Sequence, residues 1–487
     1  MPGHLQFDFR FSTAADPQPA SDDLPMRILM MGNFSGHRHL DAGAENRKIM
    51  TVDIDNFDDV LSRLKPSLSL QEPRLDLEFH CLDDFHPDHL YAALDVFHQL
   101  RQLRQSLQNP ATFAQAVAQL RQTINLKDAA DPSVEAPPVD GQEAMFERLL
   151  GKAPAQQVRP QSSLDRLLGD MIAPHIVEKT DPRQPELLAE VDRATSELMR
   201  TLLHHPDFQA LEALWRSAYA LVSRLETGES LQLALLNLSR NELARTVLDA
   251  GDNLEASAIY QLLAGQGISQ PWSVLVGAYT FADTQADMQV LAALGAMAAS
   301  LGAPFLAAAD NSLLGCASLS QSLHPSTWGD VPAWRALRAS PYAQWLGLAL
   351  PRVLLRLPYG KQTDPLDSFE FEELATPDEH EAFLWGNPAF ACARLLAENF
   401  QDAGWSMSPG QHLNIDDLPA YSYKEDSETL MQACAEWYLP ETTAEAILER
   451  GIMTLSSYRN RNSARLLRFQ SVAAPLSGLA GIWRPAH

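Results

Sequence analysis

The chain has 487 residues, 46% of them hydrophobic and 20% charged, an ordinary composition for a folded globular protein. Its length exceeds the ~250 to 300 residues that one hydrophobic core organises, so at least two packed units are expected. Sixty-two acidic residues against 37 basic ones give a formal net charge of −25, which repels phosphate backbones and anionic membrane leaflets and argues against a nucleic-acid or membrane partner.

The four cysteines, Cys81, Cys316, Cys392 and Cys434, lie far apart without CxxC spacing and read as free thiols of a reducing cytoplasm. Leu5, Phe7, Phe9 and Phe11 alternate with Gln6, Asp8, Arg10 and Ser12, the period-two pattern of a half-buried strand and not of a signal peptide. The tether ADPQPASDDLP that follows is rich in proline and acid, so residues 1–25 read as a strand on a flexible tether. That strand either tucks into its own domain or is donated to a neighbour.

Residues 26–128 read as a compact α/β domain. MRILMMG is a buried-strand run, and LDLEFHCL sets Leu75, Leu77, Phe79 and Cys81 on one strand face. DNFDDVLSRL predicts a helix capped by Asp55 or Asn56, with Phe57, Val60, Leu61 and Leu64 as its stripe. A second helix is expected after Pro87, with Leu90, Leu94, Phe97, Leu100, Leu103 and Leu107 on one side. Residues 129–162 shift to Pro, Ala, Gln and acids and read as an interdomain linker.

Residues 163–487 form the last predicted domain. The helix SLDRLLGDMI opens it; two amphipathic helices follow, broken at His205-Pro206, with Asp207 as the expected cap of the second. Strands at LQLALLNL, WSVLVGAY and PRVLLRL then alternate with helices at ADMQVLAALGAMAAS and AWRALRAS. The whole predicts an α/β (α+β) fold, mixed β-sheets covered by helices. Its Ala-rich apolar stretches are interrupted by Gly and Pro, against a membrane span.

Catalytic chemistry finds little support. PYGKQT lacks the upstream glycine and the Ser/Thr after Lys that a phosphate-cradling loop needs, and no GxGxxG or GxSxG occurs. DDFHPDH gathers Asp83, Asp84, His86, Asp88 and His89, yet reads as a polar helix start, because no distant third ligand stands at a recognisable spacing. His204-His205 points its rings in different directions. SFEFEEL reads as an exposed strand edge, with Phe369 and Phe371 inward and Glu370 and Glu372 outward. No catalytic residue, metal or cofactor is assigned; a metal-dependent hydrolase is the alternative class. Arg459, Arg461, Arg465 and Arg468 form a basic patch, read as a solvated face or as a contact for an acidic protein surface.

Several blocks carry a family resemblance. SLDRLL, LLHHPDFQALEALWRSAYALV, PWSVLVGAYTFAD, APFLAAA, LGLALPRVLLRLPYGKQTDPLDSFEFEE and LWGNPAFACARLLAENFQDAGW resemble the large subunit of the type VI secretion contractile sheath (TssC/VipB-like). MRILMMGNFSGHR, TVDIDNFDDVLSRLKPSL and LDLEFHCLDDFHPDHLYAALDVFHQLRQLRQSLQNP resemble the small subunit (TssB/VipA-like). The resemblance implies a structural, bacterial cytoplasmic assembly protein, two sheath subunits fused in one chain, whose neighbours exchange strands around an inner tube. Leu5, Phe7, Phe9 and Phe11 would then be the donated strand. A ClpV-like unfoldase would recognise the helix bearing Leu164, Leu167, Leu168 and Met171. Two departures accompany it. Gly277-Ala278-Tyr279-Thr280-Phe281 stands where the family carries an acidic GDYEF-like motif, and the sequence stops soon after RLLRFQSVAAP. The expectation is therefore a fused, C-terminally shortened sheath-like protein that polymerises, or that acts as a sheath-end or sheath-baseplate adaptor.

Overall fold

The computed structural model describes residues 9, 24–37, 43, 46–71, 73–118, 183–267, 270–376, 379–425 and 428–483. Two compact units divide the chain: one takes 1–84, 204–359 and 374–487, the other 85–203 and 360–373. This partition cuts across the expected segments 26–128 and 163–487. The cause is a strand pairing between residues some two hundred positions apart.

The strands of the first unit are β1 (Met26–Gly32), β2 (Ile49–Val52), β3 (Ser67–Gln71), β4 (Arg74–Glu78), β5 (Leu231–Asn237), β6 (Val274–Phe281), β7 (Phe305–Ala309), β8 (Leu346–Leu350), β9 (Val353–Leu354), β10 (Trp385–Gly386), β11 (Asn414–Ile415), β12 (Ser422–Glu425), β13 (Glu428–Met431), β14 (Met453–Ser457) and β15 (Ala464–Leu466). Nine of them make one mixed sheet in the order β11-β15-β14-β8-β7-β6-β1-β5-β2, and the other six pair off as three two-stranded sheets. The six strands from β14 to β5 are parallel, and antiparallel strands close both edges.

A parallel interior buries both faces of each strand, which explains why β1, β5, β7 and β8 read as near-continuous Leu, Met and Ala runs without polar alternation. The helix Gln285–Leu301 packs on β6, β7 and β8, and the helix Pro388–Ala403 packs on those strands and on β1. The first is buried almost all round, as its Ala-rich composition demands. Thr284 caps it, accepting from Asp287 N, and it ends at Gly302, whose φ of 69° is left-handed. Leu29, Met31, Ala234, Leu236, Ala307, Leu348 and Leu350 share one core cluster with this helix. Each of these Leu and Met side chains contributes about 1.5–3 kcal/mol on burial.

The second unit contains the helices Pro87–Ala93, Asp95–Gln108 and Gln184–Leu203. Arg104 forks onto Asp192 (2.6 and 3.2 Å), and Gln184 Nε2 donates to Leu107 O at 2.6 Å, tying the second of these helices to the third. Asp88 accepts from the backbone of Asp367 and Ser368, each at 3.0 Å, while Phe369 packs 4.5 Å from the Tyr91 ring.

Local expectations are corrected in four places. The single helix after Pro87 is two, because Leu94 takes an extended conformation (φ −85°, ψ 132°). Asp207 does not cap its helix: His205 does, its Nδ1 accepting from Asp207 N at 3.2 Å. The Asn56 side chain turns back to accept from Asp53 N at 3.1 Å and makes no cap bond to its helix. SFEFEEL is not a strand, although Glu370 and Glu372 are exposed and Phe371 is buried; Phe369 and Phe371 pack on each other at 5.5 Å.

Candidate functional site

The strand arrangement that joins the most distant parts of the sequence is the seat of β1. It runs between β5 and β6, in register with β5 from Met26↔Leu231 to Gly32↔Asn237 and with β6 from Ile28↔Val274 to Met31↔Gly277. The ends are pinned. Met26 N donates to Ser230 O (2.8 Å), Leu238 N to Gly32 O (2.8 Å), and Trp405 Nε1 to Leu24 O (2.6 Å). The Arg27 guanidinium lies 4.0 Å over the Trp272 ring. The space around Gly32 is tight, since a Cβ there would stand 3.0 Å from Leu214 and 3.1 Å from Ala278 and would press on both side chains.

The turn after β1 is locked just as firmly. Asn237 accepts from Ser35 N (3.2 Å) and donates to Ser35 Oγ (2.9 Å), and Trp215 Nε1 donates to Phe34 O at 3.0 Å. Trp215 is fully buried against Phe34 and Phe57 with edge-on ring contacts of 5.1 and 5.6 Å. Arg47 pairs with the buried Glu242.

Two buried ionic centres organise the PRVLLRLPYG block. Glu212, wholly buried, accepts from Arg356 Nε at 2.8 Å and from Arg216 Nε at 2.7 Å; Arg356 lies 4.3 Å over the Tyr359 ring, and Arg216 reaches the Tyr359 hydroxyl at 3.2 Å. Removing one partner of such a group costs about 3–5 kcal/mol, because a buried charge is left bare. Glu436, in a left-handed conformation (φ 50°), accepts from Arg352 N at 2.9 Å, Arg352 Nε at 3.0 Å and His380 Nε2 at 3.1 Å. Burial pushes its carboxyl up, yet the hydrogen bonds from His380 and Arg352 outweigh this and hold it at about 2. The His380 ring stacks 3.9 Å from Trp437 and 5.1 Å from Trp385.

Of the residues weighed as metal ligands, Asp84, His86 and Asp88 accept from backbone N–H groups. His86 Nδ1 accepts from Asp88 N at 3.2 Å and so caps the helix that Pro87 begins, as His205 does before Pro206. Among the described residues no group of His, Cys, Asp and Glu is arranged to hold a metal ion. Burial drives the Cys392 thiol up to about 12 and the Cys434 thiol to about 11, leaving both as poor nucleophiles. Where an acidic motif was expected, Tyr279 donates to Leu238 O at 2.8 Å, Thr280 is exposed, and Phe281 is fully buried.

Of the expected assembly strand, Leu5, Phe7 and Phe11 lie outside the described residues. Phe9 is described, half-buried, with its ring 5.7 Å from Tyr342. Leu164, Leu167, Leu168 and Met171 also lie outside them. Sequence reasoning missed Glu212, Glu436 and His380. Glu212 lies 144 positions from Arg356, and Glu436 lies 84 from Arg352 and 56 from His380. The available signal was an acidic residue on an otherwise apolar helix face (Glu212) and an isolated acid within CAEW (Glu436).

Comparison with known proteins gives this geometry a context. The family described as EvpB/VC_A0108, tail sheath N-terminal domain (VipB), matches residues 185–473, and the family described as type VI secretion system, VipA, VC_A0107 or Hcp2, matches residues 7–131. The type VI secretion system sheath protein TssC1 of Pseudomonas aeruginosa is 30% identical over 307 residues, covering 59% of this chain and 61% of that protein. The sheath protein TssB1 of the same organism is 27% identical over 121 residues, 23% of this chain and 70% of its own length. β1 thus comes from the VipA-matching region, and β5 and β6 from the VipB-matching one.

Proposed function

Because the chain belongs to the VipB tail sheath family of type VI secretion, we propose that it is a structural sheath component in which the two sheath subunits form one polypeptide, working in the cytoplasm around or at the end of an inner tube. The observation that carries this reading is β1. A strand from the VipA-matching region sits inside the nine-stranded sheet, paired on both sides with strands from the VipB-matching region, so neither region completes that sheet alone.

The helices of the second unit repeat the theme, since Asp95–Gln108 from one region pairs through Arg104–Asp192 with Gln184–Leu203 from the other. Fusion keeps two interdependent pieces at high effective concentration, which lowers the concentration at which the sheet forms. No step of covalent chemistry is assigned to the chain; its work is assembly. No helix of the described residues is long and apolar enough to cross a membrane.

We assign strand donation to Leu5, Phe7, Phe9 and Phe11, whose alternation suits pairing at an open sheet edge. Residues 129–162 are the covalent joint between the two regions, and Leu164, Leu167, Leu168 and Met171 are the face offered to a ClpV-like unfoldase. Electron microscopy of the purified chain with its neighbouring-gene tube and baseplate proteins tests the reading. Ordered tubes, rings or end-caps are expected, and a variant with Phe7→Asp and Phe9→Asp is expected to lose them while remaining folded by circular dichroism. A chain that stays apart from every such protein would remove the reading.

A further inference from the structure

We propose that the β14–β15 hairpin is an electropositive docking surface for the acidic helix Glu441–Glu449 of a second copy of this chain; this rests on, and deepens, the assembly role given above. From Arg450 to His487 the sequence contains six arginines and no acidic residue, so the rest of a chain of net charge −25 carries the whole negative excess. Four of those arginines, Arg459, Arg461, Arg465 and Arg468, fall on the hairpin and the residues just beyond it, and all four side chains are exposed. None of them forms an ion pair among the described residues. Two are held ready, with Arg459 5.5 Å over the Tyr438 ring and Arg461 5.9 Å over that of Tyr458.

The complementary surface is on the same chain. Glu441, Glu445 and Glu449 are spaced four apart on one helix and are exposed, while Thr443, Ala444, Ile447 and Leu448 face inward. The three carboxylates span about 12 Å along the helix axis. They too form no ion pair among the described residues. Like charges at this spacing destabilise a helix, and Glu449 adds a negative charge to its negative end. A cationic hairpin and an anionic helix, neither with an ion pair among the described residues of one copy, neutralise each other between copies. Complementary potentials of this kind set partner choice and register more than they set affinity.

Sedimentation velocity on the full chain tests this, from about 0.05 to 0.3 M salt. Wild type is expected to self-associate at the low end and to lose association as salt rises. A variant with Arg461→Glu and Arg465→Glu, and another with Glu441→Lys and Glu445→Lys, should each weaken self-association about tenfold or more. Their equimolar mixture should recover it, because the hairpin of the first variant then meets the helix of the second with both signs reversed, and the hairpin of the second meets the helix of the first with the native signs. Circular dichroism verifies that each variant is folded; the milder Arg461→Ala and Arg465→Ala pair should lie between wild type and reversal. Unchanged association in the arginine variant, no recovery in the mixture, or a monomeric wild type at every salt would overturn the proposal. So would binding of a labelled single-stranded DNA 20-mer that depends on these arginines while self-association does not. Salt-sensitive pairs that never enlarge alongside the tube protein would keep this contact and remove the sheath reading. Tubes that form equally well from the arginine variant would do the reverse.

Discussion

Arg27 and Ser273 hold one another by two hydrogen bonds across 246 positions of sequence: Arg27 N donates to Ser273 Oγ at 2.9 Å, and Ser273 N donates to Arg27 O at 2.8 Å. The first residue lies in the VipA-matching region and the second in the VipB-matching one. A reciprocal pair at the entry of β1 fixes its register against β6, and register in a sheet decides which side chains meet which face.

If β1 is a central strand for both regions, a cavity inside it should weaken the whole first unit. Met30 is fully buried, and Met30→Ala is expected to cost about 2–5 kcal/mol. Chemical denaturation followed by tryptophan fluorescence measures this. The control Asp58→Ala, on an exposed helix position, should stay within about 0.5 kcal/mol of wild type.

The Glu212–Arg356 pair should show strong coupling. Each of Glu212→Gln and Arg356→Met removes one charge from this buried ionic centre, leaving the opposite charge undercompensated, and is expected to cost about 3–5 kcal/mol. The double variant should cost less than the sum, and a double-mutant cycle from unfolding curves gives the difference. Additive losses would mean that the pair contributes nothing jointly.

Acid should act through Glu436. Its carboxyl is lowered from 4.5 to about 2, so its folded form binds protons less readily than its unfolded form. The sign follows: the stabilisation is full above pH 4.5 and is lost as pH falls from there through about 2. Glu436→Gln should be less stable than wild type at pH 7 by about 1–3 kcal/mol, through the bared Arg352. The gap should close as the pH falls through that window, which thermal melts at stepped pH will measure.

The two His-Pro caps make a separate claim about DDFHPDH. His86→Ala and His205→Ala should each lower stability by about 0.5–2 kcal/mol, the usual worth of an N-cap. Metal content by plasma mass spectrometry should not change with His86→Ala or His89→Ala. A stoichiometric metal lost on either substitution would contradict the reading of this segment as a helix start.

What the sequence made legible was whatever depends on near neighbours. The near-continuous apolar run MRILMMG announced a buried strand, and the Ala-rich run before Gly302 announced a buried helix. The break at Leu94 was not legible, because the apolar stripe runs through it in phase while the backbone turns. Phe369 and Phe371 alternate as in a strand, yet among the described residues no strand pairs with them. The seat of β1 between β5 and β6, and the meeting of Arg352 with Glu436, are set by long-range packing that no local pattern encodes. Histidine as an N-cap was overlooked because its side chain was weighed only as a ligand.

The central claim is that the two matched regions make one interlocked fold and are not two domains on a string. Placing a specific protease site between residues 131 and 185, cleaving the purified chain, and passing it through size-exclusion chromatography without denaturant tests this most directly. The two fragments are expected to co-elute at the size of the uncut chain and to melt in one transition. Fragments that separate, each folded and each soluble, would contradict it.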